Sequence, residues 1–370
     1  MITKLGSVIT EYSVRNKRDE DIPVYSVTNE HGFCTGYFSK DVASKDRTTY
    51  KIVPRGYFAY NPSRINVGSV DWQDCQDRVI VSPLYVVFGV DEKLDQQYLL
   101  HYLKSDITLT YIKALATGSV RDNLKFSILQ EFPINLRPIE EQRKIASILD
   151  RIDRVITLRK EELETLDNLV KSRFIELFGD PECNPYGWPC KLLGQLVLVE
   201  PQNGMYKPQT DYVQDGSGTP ILRIDAFYNG KVTDFRKLKR LNCTEVEKQR
   251  YLLREHDIVI NRVNSIEYLG KCAHICGMEE DTVFESNMMR FHLDESVMDA
   301  VYATHFLCSQ YIYKQILRKA KKAVNQASIN QSDVTSFELL VPPLTTQKQF
   351  AAFVEQTDKS KLCVEMEVAA

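Results

Sequence analysis

Residues 139–178, IEEQRKIASILDRIDRVITLRKEELETLDNLVKSRFIELF, decide how the rest of the chain is interpreted. The segment contains neither Gly nor Pro, and it follows Pro138, a residue type that favours the start of a helix. Its apolar residues recur at alternating steps of four and three, a spacing that is typical of a coiled-coil seam. We predict one uninterrupted helix, roughly 60 Å long at about 1.5 Å per residue. The predicted seam comprises Ile145, Leu149, Ile152, Ile156, Leu163, Leu166, Val170 and Leu177, with Arg159 and Arg173 at the two remaining seam positions.

A helix of this length in mid-chain either separates two domains or binds a partner helix; the alternative is one long core helix of a single domain. The chain has 370 residues, 43% hydrophobic and 26% charged, which is typical of a globular protein with two or three domains. It has no apolar run long enough to span a membrane and no signal-peptide pattern, so we expect a cytoplasmic protein without membrane contact. The nine cysteines are scattered, as expected for reduced thiols. With a net charge of −3, any surface that binds nucleic acid must be local.

The chain also repeats itself at an offset of about 200 residues. FPINLRPIEEQRKIASIL, from Phe132, is matched by FELLVPPLTTQKQFAAFV, from Phe337, and YLLHYLKS, from Tyr98, by YATHFLCS, from Tyr302. The repeat predicts an α/β protein made of two mixed α+β domains, each followed by a helix; one β-type run over 79–90 and a helix over 95–115 are expected in the first copy. The predicted boundaries are 1–137 for the first domain, 138–178 for the helix, 179–190 for a linker, 191–341 for the second domain and 342–370 for the second helix.

The sequence carries no convincing catalytic motif. It has no Gly-rich phosphate loop. NPSR, at 61–64, faintly resembles the N-P-P-Y/F motif of DNA amino-methyltransferases, but it lacks the aromatic residue that stacks on a flipped base, so we interpret it as a turn. Cys272, His274 and Cys276 would share one face of a strand and could bind a metal ion. Because no second pair stands at a suitable spacing, we favour structural thiols there.

Cationic and amide side chains cluster at matching places in the two copies. Arg, Lys, Asn and Gln are the residue types that contact the phosphates and base edges of DNA. A run of charges is more often a solvated surface, but recurrence after the same helix in both copies favours a binding region. The candidate DNA-binding residues are Arg55, Arg64, Asn66, Arg121, Asn123 and Lys125 in the first copy, and Arg262, Asn264, Arg318, Lys319, Lys321, Lys322, Gln326 and Asn330 in the second.

Several of these segments are similar to the specificity subunit of type I restriction–modification systems. The resemblance rests on RPIEEQRKIASILDRID, its repeat PPLTTQKQFAAFVEQTDKSK, the linker FGDPECNPYGWP and the run GSVRDNLKFSILQEFPI, and it extends over nearly the whole chain in order. It implies that each domain is a target recognition domain that binds one half of a bipartite site in double-stranded DNA. It also implies that the long helices pack antiparallel, act as a spacer and bind two methyltransferase (modification) subunits, and through these the restriction/translocase subunits.

The same resemblance implies a non-catalytic subunit with no cofactor or metal of its own; S-adenosylmethionine, ATP and Mg²⁺ would be held by its partners. Three alternatives stay open: the same architecture in a type IIB-like restriction–methylation enzyme, a coiled-coil scaffold that binds only proteins, and a free-standing methyltransferase. The residues expected at helix-pairing or subunit-docking positions are Gln142, Ile145, Leu149, Ile152, Ile156, Leu163, Leu166 and Val170 in the first helix, and Gln347, Phe350 and Val354 in the second.

The second helix departs from the pattern of the first. By the offset it should mirror the first helix throughout, but the sequence reaches Ala370 before that length is attained. Thr357 and Lys361 stand where the first seam has Ile152 and Ile156. We therefore expect a shortened second helix with a more polar seam.

Overall fold

The computed structural model describes residues 2–36, 47–115 and 123–369, with side chains described as far as Met366. The chain divides into two compact units, Met1–Leu158 (unit 1) and Arg159–Ala370 (unit 2). The predicted long helix is one continuous helix, Ile139–Phe178, with the predicted start and end. The boundary between the units lies within this helix, so its first half belongs to unit 1 and its second half to unit 2.

Unit 1 packs helices against a small antiparallel sheet. Its elements are β1 (Ile2–Lys4), β2 (Ile9–Glu11), β3 (Ser26–Thr28), β4 (Gly32–Cys34), β5 (Lys51–Pro54), β6 (Phe58–Tyr60), β7 (Val70–Trp72), β8 (Arg78–Val81), β9 (Val86–Val90), α1 (Gln96–Lys104), α2 (Asp106–Leu115), α3 (Phe126–Leu129), β10 (Pro133–Asn135) and α4 (Ile139–Phe178). The sheet has the order β2-β9-β6-β7, and β3 with β4, β5 with β8 and β1 with β10 form separate pairs. Phe58 and Phe88 of the sheet stack in a core that includes Leu99 and Leu103 of α1.

Two sequence predictions for unit 1 need correction. The helix expected over 95–115 is broken at Ser105, whose backbone is extended and whose hydroxyl accepts a hydrogen bond from the Thr108 N–H, so α2 starts afresh. The strand region 79–90 is two strands, because a turn in which Tyr85 N–H donates to the Ser82 carbonyl separates β8 from β9. In both cases a local hydrogen bond, from a side chain or within a turn, interrupts the continuous helix or strand that the apolar periodicity predicts.

Unit 2 is larger and carries a wider sheet. Its further elements are β11 (Cys190–Leu192), β12 (Val197–Asn203), β13 (Tyr212–Val213), β14 (Thr219–Leu222), β15 (Phe227–Tyr228), β16 (Gly230–Val232), β17 (Lys239–Leu241), α5 (Glu245–Tyr251), β18 (Ile258–Asn261), β19 (Val263–Asn264), β20 (Cys272–His274), β21 (Val283–Phe284), β22 (Met288–Leu293), α6 (Ala300–Leu307), α7 (Gln310–Lys319), β23 (Lys321–Lys322), β24 (Ala327–Ser328), α8 (Gln331–Thr335), β25 (Glu338–Leu340) and α9 (Leu344–Ala369). The six-stranded sheet has the order β12-β22-β18-β20-β16-β15, and smaller sheets follow the orders β13-β17-β14-β21 and β19-β24-β23.

The two units repeat one arrangement, as the sequence predicts. The strand order β2-β9-β6-β7 of unit 1 recurs as β12-β22-β18-β20 in unit 2, which adds β16 and β15. Equivalent backbone hydrogen bonds join the start of each unit to its end: Leu5 N–H donates to the Phe132 carbonyl and Leu193 N–H to the Phe337 carbonyl, both at 2.8 Å. The mixed α+β fold in two copies is therefore confirmed.

A buried glutamine attaches each long helix to its own domain. In unit 1 the Gln142 side chain accepts from the Asp95 N–H at 2.9 Å and donates to the Lys93 carbonyl at 2.7 Å. In unit 2 the Gln347 side chain accepts from the Asp299 N–H at 2.8 Å and donates to two further carbonyls. Both side chains are fully buried. These glutamines therefore have a different role from the helix-pairing or docking one predicted for them, because their polar groups are satisfied within their own domains.

The second half of α4 packs antiparallel against α9 within unit 2. Phe174 and Phe178 both contact the ring of Phe350, with centroids 5.4 and 5.6 Å away. Farther back along α4, Arg173 lies over the ring of Phe353, and Asp167 forms an ion pair with Lys361. Residue numbers fall along α4 as they rise along α9, so the two helices run in opposite directions.

The predicted 3.5-residue seam is not confirmed along α4. Of the predicted seam residues only Val170 is buried, and Ile152 is 49% exposed. The buried residues of the second half, Val170, Phe174 and Phe178, recur every four residues and belong to the core of unit 2. The helix is buried only where the core of a domain contacts it. Its buried side chains therefore form an apolar face that packs on a globular core, and not a uniform coiled-coil seam.

Candidate nucleic-acid interface

The strand β18 leads directly into the candidate site of unit 2. After its last residue, Asn261, the backbone of Arg262 is held on both sides: its N–H donates to the Asn287 carbonyl at 2.8 Å, and its carbonyl accepts from the Ile329 N–H at 3.0 Å. Asn287 precedes β22, the neighbour of β18 in the sheet. One end of the central sheet is therefore joined to the segment that follows α7.

A three-stranded sheet at this end brings the predicted residues together. Strand β24 pairs antiparallel with β19 on one side and with β23 on the other. In this register Asn264 and Lys322 both lie opposite Ala327. Arg262, Asn264, Lys321 and Lys322, which are far apart in the sequence, thus belong to one small surface. We call residues 321–328, which comprise β23, β24 and the turn between them, the basic hairpin.

The cations of this region have no acidic partner among the residues that the structure describes. Within the part of unit 2 that the structure describes, the four cations at the end of α7 and the start of the basic hairpin form no ion pair: Arg318, Lys319, Lys321 and Lys322. Lys321, Lys322 and Gln326 are exposed. Four free positive charges over five residues create a local positive potential on a chain whose net charge is −3. Such a surface attracts a polyanion, and the attraction falls with added salt.

Three predicted side chains already have structural partners. The Arg262 guanidinium donates to the Ser286 carbonyl at 3.2 Å. The Asn264 carboxamide accepts from the Ser265 N–H at 2.8 Å. Asn330 caps the N-terminus of α8 by accepting from the Asp333 N–H at 3.0 Å, and this explains its position without a DNA contact.

Unit 1 has an equivalent surface at the end of β6. Leu124 N–H donates to the Pro62 carbonyl at 3.0 Å, the counterpart of the bond between Ile329 and Arg262 in unit 2. This bond brings Asn123 and Lys125, both exposed, to the segment that carries Arg64 and Asn66. A cavity of about 190 Å³ lies beside this segment and is lined by Arg64 among other residues.

Two other predicted residues of unit 1 do not join that surface. Arg55 lies in the turn before β6, at the opposite end of the strand from Arg64, and its backbone N–H donates to the Asp77 carbonyl. Arg121 lies outside the described residues. The structure therefore supports a smaller set in unit 1 than the sequence predicts.

Two exposed side chains near the site of unit 2 were not predicted. Tyr206 is 78% exposed and directly follows Met205. The Met205 carbonyl accepts a hydrogen bond from the N–H of Ser286, and the carbonyl of the same Ser286 accepts from the Arg262 side chain. Val324, in the turn of the basic hairpin, is 99% exposed. The sequence signal for Tyr206 is an aromatic residue followed by Lys in the Gly- and Pro-containing segment NGMYKP. For Val324 the signal is an apolar residue inside a run of polar and basic ones.

The Cys272, His274 and Cys276 group is not arranged as a metal site. Among the described residues, no group of three His, Cys, Asp or Glu side chains is placed to hold a metal ion. Cys272 points to Cys308, with 3.4 Å between the sulfurs, while His274 contacts His256 at 3.0 Å. Burial, and then the neighbouring His256, lower the pKa of His274 to about 4. Cys272 and His274 thus pair with separate neighbours.

Comparison with known proteins agrees with this geometry. The family model for the type I restriction modification DNA specificity domain matches twice, over residues 7–168 and 185–366. The chain belongs to this family of type I DNA specificity proteins. The two matches cover the two copies of the domain together with most of both long helices. The duplication, the strand order and the paired surfaces at the ends of β6 and β18 are therefore features of a member of this family.

Individual relatives match different fractions of the chain. The EcoKI specificity subunit of Escherichia coli K12 is 25% identical over 276 residues, which are 70% of this chain and 58% of that subunit. The putative MjaX specificity subunit of Methanocaldococcus jannaschii is 30% identical over 178 residues, 47% of this chain and 40% of the relative. The matched region thus spans a little more than half the length of the first relative and less than half the length of the second.

A solved structure shares the fold over the whole chain. The S subunit of a type I restriction–modification system from M. genitalium superimposes with a TM-score of 0.60 at 16% identity, covering 100% of this chain and 92% of that one. At 16% identity this similarity shows a shared fold and nothing more. Within the described residues of this family member, none of the helices is both long and apolar enough to cross a membrane.

Proposed function

We propose that this chain is the DNA-recognition component of a type I restriction–modification complex. Each unit binds one half of a split site in double-stranded DNA, and α4, the continuous helix shared by both units, sets the spacing between the half-sites. The observation that carries the proposal is the duplicated surface: cationic and amide side chains follow β6 in unit 1 and β18 in unit 2, each joined by the same backbone hydrogen bond to a later segment.

The residues at these surfaces fit DNA rather than another polyanion because they combine two functions. Free lysine and arginine side chains supply the sequence-independent attraction to phosphates. Exposed amides, such as those of Asn123 and Gln326, can form two hydrogen bonds with adenine in the major groove. We assign phosphate contacts to Arg318, Lys319, Lys321 and Lys322 in unit 2 and to Arg64 and Lys125 in unit 1.

The proposal places catalysis in partner subunits. Two methyltransferase subunits would bind the long helices and hold S-adenosylmethionine, and restriction/translocase subunits would hold ATP and Mg²⁺. Apolar side chains that α4 leaves exposed in its first half, among them Ile148, Ile152 and Val155, are available for such binding. This chain would then contribute recognition and no cofactor.

The decisive experiment reconstitutes the chain with its methyltransferase subunits and maps the methylated bases on a random DNA library. We expect one discrete split motif with adenine methylated on both strands. The salt dependence of binding to that motif is then measured for the quadruple variant R318Q/K319Q/K321Q/K322Q. If all four cations contact phosphates, the slope of log Kobs against log salt should become shallower by up to about 3.6.

A matched control removes four exposed cations elsewhere in unit 2, away from the long helices and without an ion pair among the described residues, with K191Q/K239Q/R250Q/R254Q. The control should retain the wild-type slope, because the change in net charge is the same but the location differs. A complex that methylates no discrete motif would contradict the proposal. Equal slopes for the two quadruple variants would favour a scaffold that binds proteins only.

A further inference from the structure

Val324 is an apolar side chain in an unusual environment. It is 99% exposed, whereas valine is among the residue types most often buried in folded proteins. It lies in the turn 323–326, which is closed by a hydrogen bond of 2.7 Å from the Ala323 N–H to the Gln326 carbonyl. The turn positions are all exposed. Val324 therefore contributes nothing to the core of unit 2, and a role in folding does not account for it.

The basic hairpin holds this valine in a defined position. Strand β24 is paired on both sides, with β19 and with β23, so the base of the hairpin is attached to the segment that follows the central sheet. The buried Ile329, directly after β24, is hydrogen-bonded to Arg262. The turn thus extends from a fixed base rather than from a long free loop.

The shape and charge of the hairpin fit the major groove of a DNA duplex. The major groove is about 12 Å wide and admits a two-stranded ribbon. Lys321 and Lys322 lie at the start of the ribbon and carry charges that no other described residue neutralises, so they can bind the phosphates that border the groove. The apolar group that a duplex presents in this groove is the C5 methyl of thymine, and valine at the tip of the ribbon is complementary to it.

We propose that the basic hairpin enters the major groove and that Val324 recognises a thymine by contact with its methyl group. This inference rests on the proposed function and deepens it by naming the groove and the base. The neighbouring amides of Asn325 and Gln326, both exposed, are placed to contact an adjacent base pair. Val324 is then a specificity-determining residue of unit 2.

The test uses the reconstituted complex and its mapped motif. Each thymine of the motif is replaced singly by deoxyuridine, which removes the methyl group and keeps the base-pairing edge. For the wild-type chain, one position should weaken binding about threefold to fivefold, the effect of one buried methyl group. With Val324→Ala, affinity for the thymine motif should fall by a similar factor, and the preference for thymine over deoxyuridine at that position should disappear.

Val246→Ala is the matched control. Val246 is a second highly exposed valine of unit 2, on α5, and its replacement should leave affinity and thymine preference unchanged. Because Val324 is exposed, its replacement should leave the unfolding transition of the chain unchanged, so a loss of binding reports the DNA contact.

The outcomes separate the two proposals. If the complex has no discrete motif, the proposed function fails. If it has one, but deoxyuridine is tolerated at every position or Val324→Ala keeps the thymine preference, the hairpin inference alone is overturned. A motif that responds to a minor-groove change, such as inosine for guanosine at its G·C pairs, but to deoxyuridine at none of its thymines would also overturn it, because the methyl group lies in the major groove.

Discussion

The two halves of α4 share one helical sequence but differ in what covers them. In the second half, Val170, Phe174 and Phe178 are buried in the core of unit 2. In the first half, Gln142 and Ala146 are buried against unit 1, but beyond them Ile152, Val155 and Leu158 are each about half exposed. Residue types and spacing are similar in both halves, so the pattern of the helix does not explain the difference.

The difference comes from the partners of each half. The second half is covered by α9 and by α6. Phe350 of α9 and Tyr302 of α6 each contact the rings of Phe174 and Phe178. In the first half, α1 provides mainly polar contacts: Gln97 donates to Asp150 at 2.6 Å, and His101 is 2.8 Å from the same carboxylate. An amphipathic helix is therefore stabilised only where a complementary face exists, and its other apolar side chains remain available to partners.

The largest expected effect contrasts the two halves directly. Phe174→Ala should lower the free energy of unfolding by about 3–5 kcal/mol, because it opens a cavity in a close-packed aromatic cluster. Ile152→Ala should change it by less than about 0.5 kcal/mol, because the side chain is half exposed. Denaturant titration of the full chain measures both changes. Similar losses would show that the first half is as well covered as the second.

A smaller effect is expected at the joints between each long helix and its domain. Gln142→Met and Gln347→Met keep the side-chain volume but leave buried backbone groups without partners. Each should destabilise its own unit by about 1–3 kcal/mol. Hydrogen exchange, resolved by unit, would locate the loss. A change in only one unit would contradict the equivalence of the two joints.

His305 of α6 makes the stability of unit 2 depend on pH. Burial, and then the charge of Lys231, lower the pKa of His305 to about 4 from an ordinary value of 6.5, and its ring meets Phe350 edge-on. The unfolded chain therefore binds this proton more readily. The stability from this site is complete above the ordinary pKa and is lost as the pH falls from about 6.5 towards 4, by about 2 kcal/mol between pH 7 and pH 5.

Replacement of His305 by Gln should remove that part of the acid sensitivity of unit 2, measured by denaturant titration at pH 5 and pH 7. The control His101→Gln alters the equivalent residue of unit 1 and should leave the transition of unit 2 unchanged. Four charged side chains act electrostatically on His305: Lys231, Asp358, Lys361 and Asp167. An unaltered pH dependence in the His305 variant would assign the effect to those groups.

The smallest expected effect concerns the register of α4 against α9. Asp167 and Lys361 form an ion pair that is partly exposed to solvent. A double-mutant cycle with Asp167→Asn and Lys361→Gln should give a coupling of about 0.2–1 kcal/mol that weakens with salt. A coupling of zero at low salt would indicate that the two helices meet in a different register.

Much of the fold was accessible from local patterns. The boundaries of α4 were predicted from Pro138 at its start and from the absence of helix-breaking residues. The duplication was predicted from matched segments, because equivalent residues perform equivalent packing tasks in both copies. The break of the first helix at Ser105 and the cap formed by Asn330 were missed, since side-chain-to-backbone hydrogen bonds depend on geometry that periodicity does not encode.

The candidate site could be predicted only partly from the sequence. The sequence pointed to Arg262 and to the cations from Arg318 onwards as separate clusters, but it did not pair them. Their union depends on β24, whose two residues bridge β19 and β23. Strands this short have no detectable periodicity, so their pairing is a property of the folded chain. The same holds for Arg55, which sequence proximity placed with Arg64 and the fold places at the other end of β6.

By itself, the sequence determined that this chain has two copies of one domain, a long continuous helix and local basic clusters, because repeats, helix signals and charge are written in neighbouring residues. Only the tertiary structure decided which parts of that helix are buried, which glutamines hold the helices to their domains, and which cations share a surface. Those outcomes depend on contacts between residues far apart in the chain, and burial is determined by the partner as much as by the residue.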